Sequence, residues 1–256
     1  MMLMALVAVM CAGVAACGKD EDGSGNAGGS SGDNIVSNPN WAASVVAAGA
    51  TSGEWVDLGL PSGLLWYSCN LGATAPEEFG DYYAWGEVAP KSDYTWNTYR
   101  YLDPHADSTF NVTKYCNDAE LGANGFTDTL TTLEAMDDAA TQVLGDGARM
   151  PTKAEWEELL QKATYTYTTQ NDVMGIKFTG RNGKSLFFPY AGYRWNRVLW
   201  SAYADRGEGV GNYWSASVSV YSHHAWCFTF DMGNFQHMVD YDRPHGMSVR
   251  PVRSAR

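Results

Sequence analysis

The sequence predicts an α+β domain with two helices, short antiparallel strands and long loops, on three observations. A capping pattern, Thr152-Lys153-Ala154-Glu155, precedes an apolar i, i+3, i+4 face of Trp156, Leu159 and Leu160 and so marks a helix. The C-terminal part alternates in short runs separated by turn residues, as antiparallel strands do. Residues 76–130 are rich in Asn, Asp, Gly, Pro, Tyr and Thr without periodicity, which predicts a long loop region. Helices placed ahead of a series of strands indicate α+β.

The elements follow in order. Residues 1–16 (MMLMALVAVMCAGVAA) are apolar throughout, yet shorter than the ~20 residues that span a bilayer. They read as the apolar region of a signal peptide. Residues 17–33 begin Cys17-Gly18-Lys19-Asp20-Glu21-Asp22 and continue as a flexible Gly/Ser tether. Residues 34–53 form an irregular lead-in, and the folded part spans 54–253. Glu54 to Leu60 alternates as a strand with Val56, Leu58 and Leu60 on one face; Pro61-Ser62-Gly63 turns it into the apolar run Leu64 to Cys69. Tyr82, Tyr83, Trp85, Tyr94, Trp96, Tyr99 and Tyr101 are expected to hold the long loop. Leu133 to Leu144 is the first expected helix, and the segment capped by Thr152 is the second. Tyr165 to Thr169, Gly175 to Thr179 and Ser185 to Pro189 read as strands, with Asn182-Gly183 supplying a hairpin turn. Ala225 to Asp231 and Phe235 to Tyr241 flank a Met232-Gly233-Asn234 turn, and Met247 to Val252 closes the domain.

Composition excludes several classes. With 17 Lys+Arg against 29 Asp+Glu the net charge is −12, and an acidic surface without a basic cluster repels nucleic acid. Ten Trp, 15 Tyr and 9 Phe are too many aromatics for a disordered chain. Beyond Cys11 and Cys17, three cysteines remain, so at most one disulfide forms; Cys69–Cys116 is the expected pair, since both lie outside the strand carrying Cys227. No Cys/His spacing suggests zinc. His223 and His224 are adjacent, and on a strand they would point to opposite faces and chelate poorly unless a loop intervened. Neither a metal nor a cofactor is therefore expected. Cys227 with a neighbouring His lacks an assignable third group for nucleophilic catalysis. Asp137-Asp138 and Glu157-Glu158 read as solvated helix faces.

Several motifs recur in one order: Glu54-Trp-Val-Asp-Leu-Gly-Leu-Pro-Ser-Gly-Leu-Leu-Trp66, Cys69-Asn-Leu-Gly-Ala73, Gly80-Asp-Tyr-Tyr-Ala-Trp-Gly-Glu87, Arg149-Met-Pro-Thr-Lys-Ala-Glu-Trp-Glu157, Ala191-Gly192-Tyr193, Tyr213-Trp-Ser215, Ala225-Trp226 and Ser248-Val-Arg-Pro-Val252. Together they resemble the Fibrobacter succinogenes major paralogous domain family of Bacteroidota surface proteins, over residues 54–253. The Arg149 to Glu157 piece is also similar to the formylglycine-generating family. The resemblance implies a C-type-lectin-like fold in which the first and last strands pair. Val249 and Val252 would then pack beside Val56 and Leu58. The paired cysteines that oxidases of the formylglycine-generating family use to bind copper are not both present, because only Cys227 follows Cys116. The calcium-site tripeptides of sugar-binding lectins are also absent; Trp195-Asn196-Arg197 departs from theirs at its last residue. Val14-Ala15-Ala16-Cys17 resembles the bacterial lipobox, which implies lipidation of Cys17. The acidic run after it is similar to the signal that sends lipoproteins to the outer face of the outer membrane.

Residues 209–247 are the candidate display region. If Met238 packs inward, Phe235, His237, Val239 and Tyr241 face solvent, and aromatic and polar groups in one patch suit recognition. The expected ligand-binding residues are Tyr221, Ser222, His223, His224, Cys227, Thr229, Asp231, Phe235, His237, Tyr241, Asp242 and His245. All are encodable by an Asn codon mutated at its two adenines, which resembles the variable region of diversity-generating-retroelement target proteins; drift of a surface hairpin gives the same pattern. The expected function is an adhesin- or receptor-type surface lipoprotein. It would bind an external protein or glycan, touch the membrane through its lipid alone, and carry out no catalysis. The alternatives are a degenerate formylglycine-type enzyme and a structural or adhesive tip component of a surface appendage.

Overall fold

The first element, α1 (Pro39–Ser44), starts where Asn38 caps it: the Asn38 side chain accepts from the Asn40 amide at 3.0 Å, and Pro39 stands in the first turn. The lead-in is therefore not wholly irregular. The computed structural model describes residues 38–105, 111–200, 209–233 and 236–255, all within one compact unit, Ile35–Arg256. The expected signal peptide, Cys17, the tether and Phe235 lie outside the described residues.

Strands β1 (Trp55–Asp57) and β2 (Leu64–Tyr67) form an antiparallel hairpin. From there to Asp138 the described residues are largely irregular, broken by short 3-10 turns. The expected helix at 133–144 divides into a 3-10 turn, Ala135–Asp137, and α2 (Ala139–Leu144). The break falls at Asp138, whose extended backbone ends one segment and whose side chain caps the next through the Thr141 amide at 3.0 Å. Asp137 and Asp138 are both buried, contrary to a solvated helix face. Asp137 accepts from the hydroxyls of Tyr101 and Tyr115 and pairs with Lys114 at 2.6 Å.

Helix α3 (Lys153–Lys162) has the expected capping box. The Thr152 hydroxyl accepts from the Glu155 amide at 3.3 Å, and Glu155 accepts from the Thr152 amide at 2.8 Å. Arg149 grips the same carboxylate with two bonds, at 2.5 and 2.7 Å. Burial opposes ionisation of Glu155, but the bonds from Arg149 and Thr152 outweigh it and hold the carboxyl below its ordinary value of 4.5. A depressed folded-state value stabilises the fold above the ordinary value, and that contribution is lost as pH falls through the folded one. Glu155→Gln is therefore expected to cost about 1–3 kcal/mol at pH 7 and clearly less at pH 3. Urea denaturation at the two pH values measures this; an equal loss at both would mean the charge contributes nothing.

The remaining strands are β3 (Thr164–Gln170), β4 (Val173–Thr179), β5 (Ser185–Pro189), β6 (Tyr193–Trp195), β7 (Val198–Trp200), β8 (Val210–Val218), β9 (His224–Asp231), β10 (Gln236–Asp242) and β11 (Val252–Ser254). They pair antiparallel in four sheets of order β1-β2-β11, β10-β9-β8, β3-β4-β5 and β6-β7. With three short helices among the described residues, this is an α+β domain. Asn171 and Asp172, both at positive φ, make a two-residue turn between β3 and β4. The Asn182-Gly183 turn places Gly183 at φ +81, closed by a Gly183 amide bond to the Gly180 carbonyl at 3.0 Å. The last strand does return to the N-terminal hairpin, but it pairs with β2 and not with β1. Val252 shares a core with Val56 and Leu58, whereas Val249 joins the other core.

The β8-β9-β10 sheet has a core on each face. Tyr213, Phe228 and Phe230 pack with Trp66, Trp156, Phe178 and Phe188 on one side. Their strand neighbours Trp214 and Cys227 pack with Trp85, Tyr99, Tyr101 and Tyr115 on the other. A sheet covered on both faces needs apolar residues at successive positions, not alternate ones. The long loop supplies the second cover, so its aromatics are core: Tyr83, Trp85, Tyr94, Tyr99, Tyr101 and Tyr115 are all at most 1% exposed.

Candidate functional site

The structure divides the expected ligand-binding residues among three places and buries two of them. Cys227 is fully buried in the loop-side core, and Ser222 is 1% exposed. Burial, with the Asp240 charge behind it, pushes the Cys227 thiol well above its ordinary value, so it is a poor nucleophile and no part of a display surface. The Ser222 hydroxyl donates to Asn117 Oδ1 at 2.6 Å and accepts from the Asn117 amide at 3.1 Å, pinning the turn to the long loop. The expected Cys69–Cys116 disulfide is not formed: all three described cysteines are free, with Cys69 and Cys116 in separate clusters.

Thr229, Asp231 and His237 lie half-buried toward the β9-β10 turn, where His237 pairs with Thr229 across the strands and Asp231 Oδ1 accepts from the Gly233 amide at 2.7 Å. Met238 does pack inward, opposite Phe228. The other face of β10 is nevertheless not open, because Val239 and Tyr241 pack against the loop-side core.

The second place is the aromatic end of the loop-side face. In the β6-β7 hairpin, Tyr193 pairs with Trp200 and Trp195 with Val198, so the four share one face. Val198 and Trp200 are 50% and 48% exposed. His245 stacks on Trp195 at 4.4 Å and lies edge-on to Tyr193 and Tyr241 at 5.5 and 5.7 Å. Its Nδ1 is 3.0 Å from the Asp242 carbonyl, and burial lowers its basicity. Tyr193, Trp195 and Trp200 were missing from the expected site. Alternation on both sides of Asn196-Arg197 is the signal that would have revealed this hairpin.

The third place is the opposite face at the β8-β9 turn. The Ser219 amide donates to the His224 carbonyl at 3.3 Å, and the His224 amide donates to the Tyr221 carbonyl at 2.8 Å. His223 thus sits in the turn and only His224 is on the strand. The expectation that the two imidazoles diverge is overturned: their ring centroids are 4.2 Å apart. Tyr221, 58% exposed, lies 6.2 Å from His223 and 5.9 Å from His224. Across the strands His224 Nε2 is 3.3 Å from Asp242 Oδ1, and His224 Nδ1 is 3.5 Å from Asp240 Oδ2. The Ser219 hydroxyl donates to that same Asp240 oxygen at 2.5 Å.

Charge in this cluster is graded. The Asp242 hydrogen bond raises His224 above its ordinary value, against opposing burial. Burial, and then the neighbouring His224, lower His223. Burial works against ionisation of Asp242 too, but the bond from His224 and the imidazoles around it bring it below the usual carboxylate range. Of the two imidazoles side by side, His224 is thus the more basic and His223 the less basic.

A groove of about 260 Å³ adjoins this cluster, lined among others by Asn117, Asp128, Thr131, Ser219, Val220 and Trp226. Trp226 is half-buried in the groove wall with the Lys153 ammonium 3.4 Å above its ring. Beneath both faces lies Arg243, fully buried, which donates to the carbonyls of Lys114, Tyr115 and His224 at 3.0, 2.6 and 3.4 Å. Its guanidinium lies 4.8 Å from the Trp85 ring. No described helix is long and apolar enough to cross a membrane. No family model, curated protein or solved structure matches the chain.

Proposed function

We propose that this chain is a surface lipoprotein whose C-type-lectin-like domain captures an external protein or glycan, held to the outer membrane by acyl chains on Cys17. The observation that carries the reading is the placement of half-exposed rings directly over a rigid interior. Tyr193, Trp195, Trp200 and His245 on one face, and Tyr221, His223 and His224 on the other, are partly or largely exposed beside a central sheet whose strands β8 and β9 are mostly buried. Large planar side chains on such a frame give contact area at small entropic cost. The return of the last strand to the N-terminal hairpin, and a long loop stapled to the central sheet, are in keeping with a lectin-like domain. Variation at Tyr221, His223 or His237 would alter contact chemistry, whereas variation at Ser222 or Cys227 would alter packing.

The test is a screen of the purified full chain against immobilised glycans and cell-surface proteins, repeated with a Trp200→Ala/Tyr221→Ala/His223→Ala variant. Loss of at least ~30-fold in affinity is expected, since interface aromatics contribute about 2 kcal/mol or more. The melting temperature should move by no more than about 2 °C, because Trp200 and Tyr221 are about half exposed and His223 lies in a turn. Trp195 and Tyr241 are left out of the set because both pack on the interior. Binding that survives the triple change, or is lost only with the fold, would refute the assignment.

A further inference from the structure

We propose that His223, His224 and Asp242 form a binding site for a divalent transition metal of the Zn²⁺ class, with an open coordination position facing solvent. Each residue offers one ligand atom, and the three atoms lie within 4.8 Å of one another. His224 Nε2 and Asp242 Oδ1 are already 3.3 Å apart. Two donors each about 2.0–2.1 Å from a tetrahedral zinc are separated by roughly that distance. Imidazole and carboxylate donors together suit Zn²⁺, Ni²⁺ and Cu²⁺ rather than Ca²⁺ or Mg²⁺. Three protein ligands leave a fourth position for water or for a donor brought by a bound molecule.

The surroundings of His224 are organised as a metal site requires. Metal-bound imidazoles usually direct their other nitrogen at a carboxylate, which fixes the ring. Here His224 turns Nδ1 toward Asp240, and Asp240 is held in turn by the Ser219 hydroxyl. The backbone is fixed as well. The His223 carbonyl accepts from the Arg243 amide at 3.2 Å, and the His224 carbonyl accepts from Ser219 and from the Arg243 side chain. The three ligand residues are half-buried, so a small ion reaches them without rearrangement of the core.

The experiment uses the full chain, purified without a histidine tag and stripped with a chelator. ZnCl₂ is titrated in by calorimetry, CoCl₂ by visible absorption, and melting is followed with and without Zn²⁺. A single saturable Zn²⁺ site, tetrahedral cobalt bands and a Zn²⁺-dependent rise in melting temperature that chelator reverses are expected. His223→Ala and Asp242→Asn should each weaken Zn²⁺ binding by more than Asp240→Asn, whose effect should be about 10–100-fold. His105→Ala, exposed and remote in sequence, should leave it unchanged. Equal Zn²⁺ affinity in the native chain and the Asp242→Asn variant overturns the proposal. A native chain whose melting is indifferent to Zn²⁺ and whose cobalt complex lacks tetrahedral bands overturns it as well, whether or not the variants fold.

Discussion

Arg243→Met is expected to destabilise the domain by about 2–4 kcal/mol, because it strips hydrogen-bond donors from buried backbone carbonyls. Methionine can fill the volume of the aliphatic stem, so the loss comes from polar groups and not from a cavity. The carbonyls of Lys114 and Tyr115 lose their guanidinium donors, and the His224 carbonyl loses one of its two. A buried carbonyl left without a donor costs roughly 1–3 kcal/mol. The stacking of the guanidinium on Trp85 is lost as well. Avoiding the burial of a charge offsets part of this, which keeps the net below the sum. Because Arg243 joins the long loop to the turn that carries His223 and His224, the variant should also expose the loop to protease. Urea denaturation with limited proteolysis checks both effects. An unchanged midpoint would show that desolvation of the guanidinium cancels its contacts.

Trp156→Ala is expected to cost about 3–5 kcal/mol, as large-to-small changes at buried tryptophans do. The indole is fully buried; it stacks on Phe228 at 4.9 Å and meets Trp66 at 4.8 Å, Phe188 at 5.7 Å and Tyr213 at 6.0 Å. Its Nε1 donates to the Trp214 carbonyl at 3.4 Å. Alanine would open a cavity bordered by the central sheet and the β1-β2-β11 sheet together, so neither could collapse to fill it. Trp156→Phe should retain part of the stacking and fall between the two. Thermal and urea melts of the three proteins give the order, and an alanine variant as stable as the phenylalanine one would mean that this core relaxes freely.

The cap of α3, the indole anchor behind it, the short C-terminal strands and the Asn182-Gly183 turn were legible because each rests on residues within one or two turns of chain. The interior of β8 was not. Val210 to Val218 shows no alternation, since Tyr213 and Trp214 point into different cores and both must be apolar. For the same reason β10 looked like an open face. Once Met238 is placed inward, periodicity says that His237, Val239 and Tyr241 lie on the other side, but not that a distant loop covers most of that side. Ser222 and Cys227 were lost from the site by that covering. His223 and His224 failed differently: the rule for neighbours on a strand was sound, but His223 belongs to the turn.

From the residues alone follow the α+β class, the acidic exterior and the aromatic character of the C-terminal surface, because local capping, two-residue alternation and net charge need no knowledge of distant contacts. Folding in three dimensions decided which aromatics became interior, left Cys69 and Cys116 apart, and gathered two imidazoles and a carboxylate at the end of one sheet. The first of these rests on contacts between segments more than a hundred positions apart, such as Trp85 Nε1 with the Ser215 carbonyl and Arg243 with Lys114, and the last on the β9-β10 register and the turn that carries His223. No pattern within a short window records them.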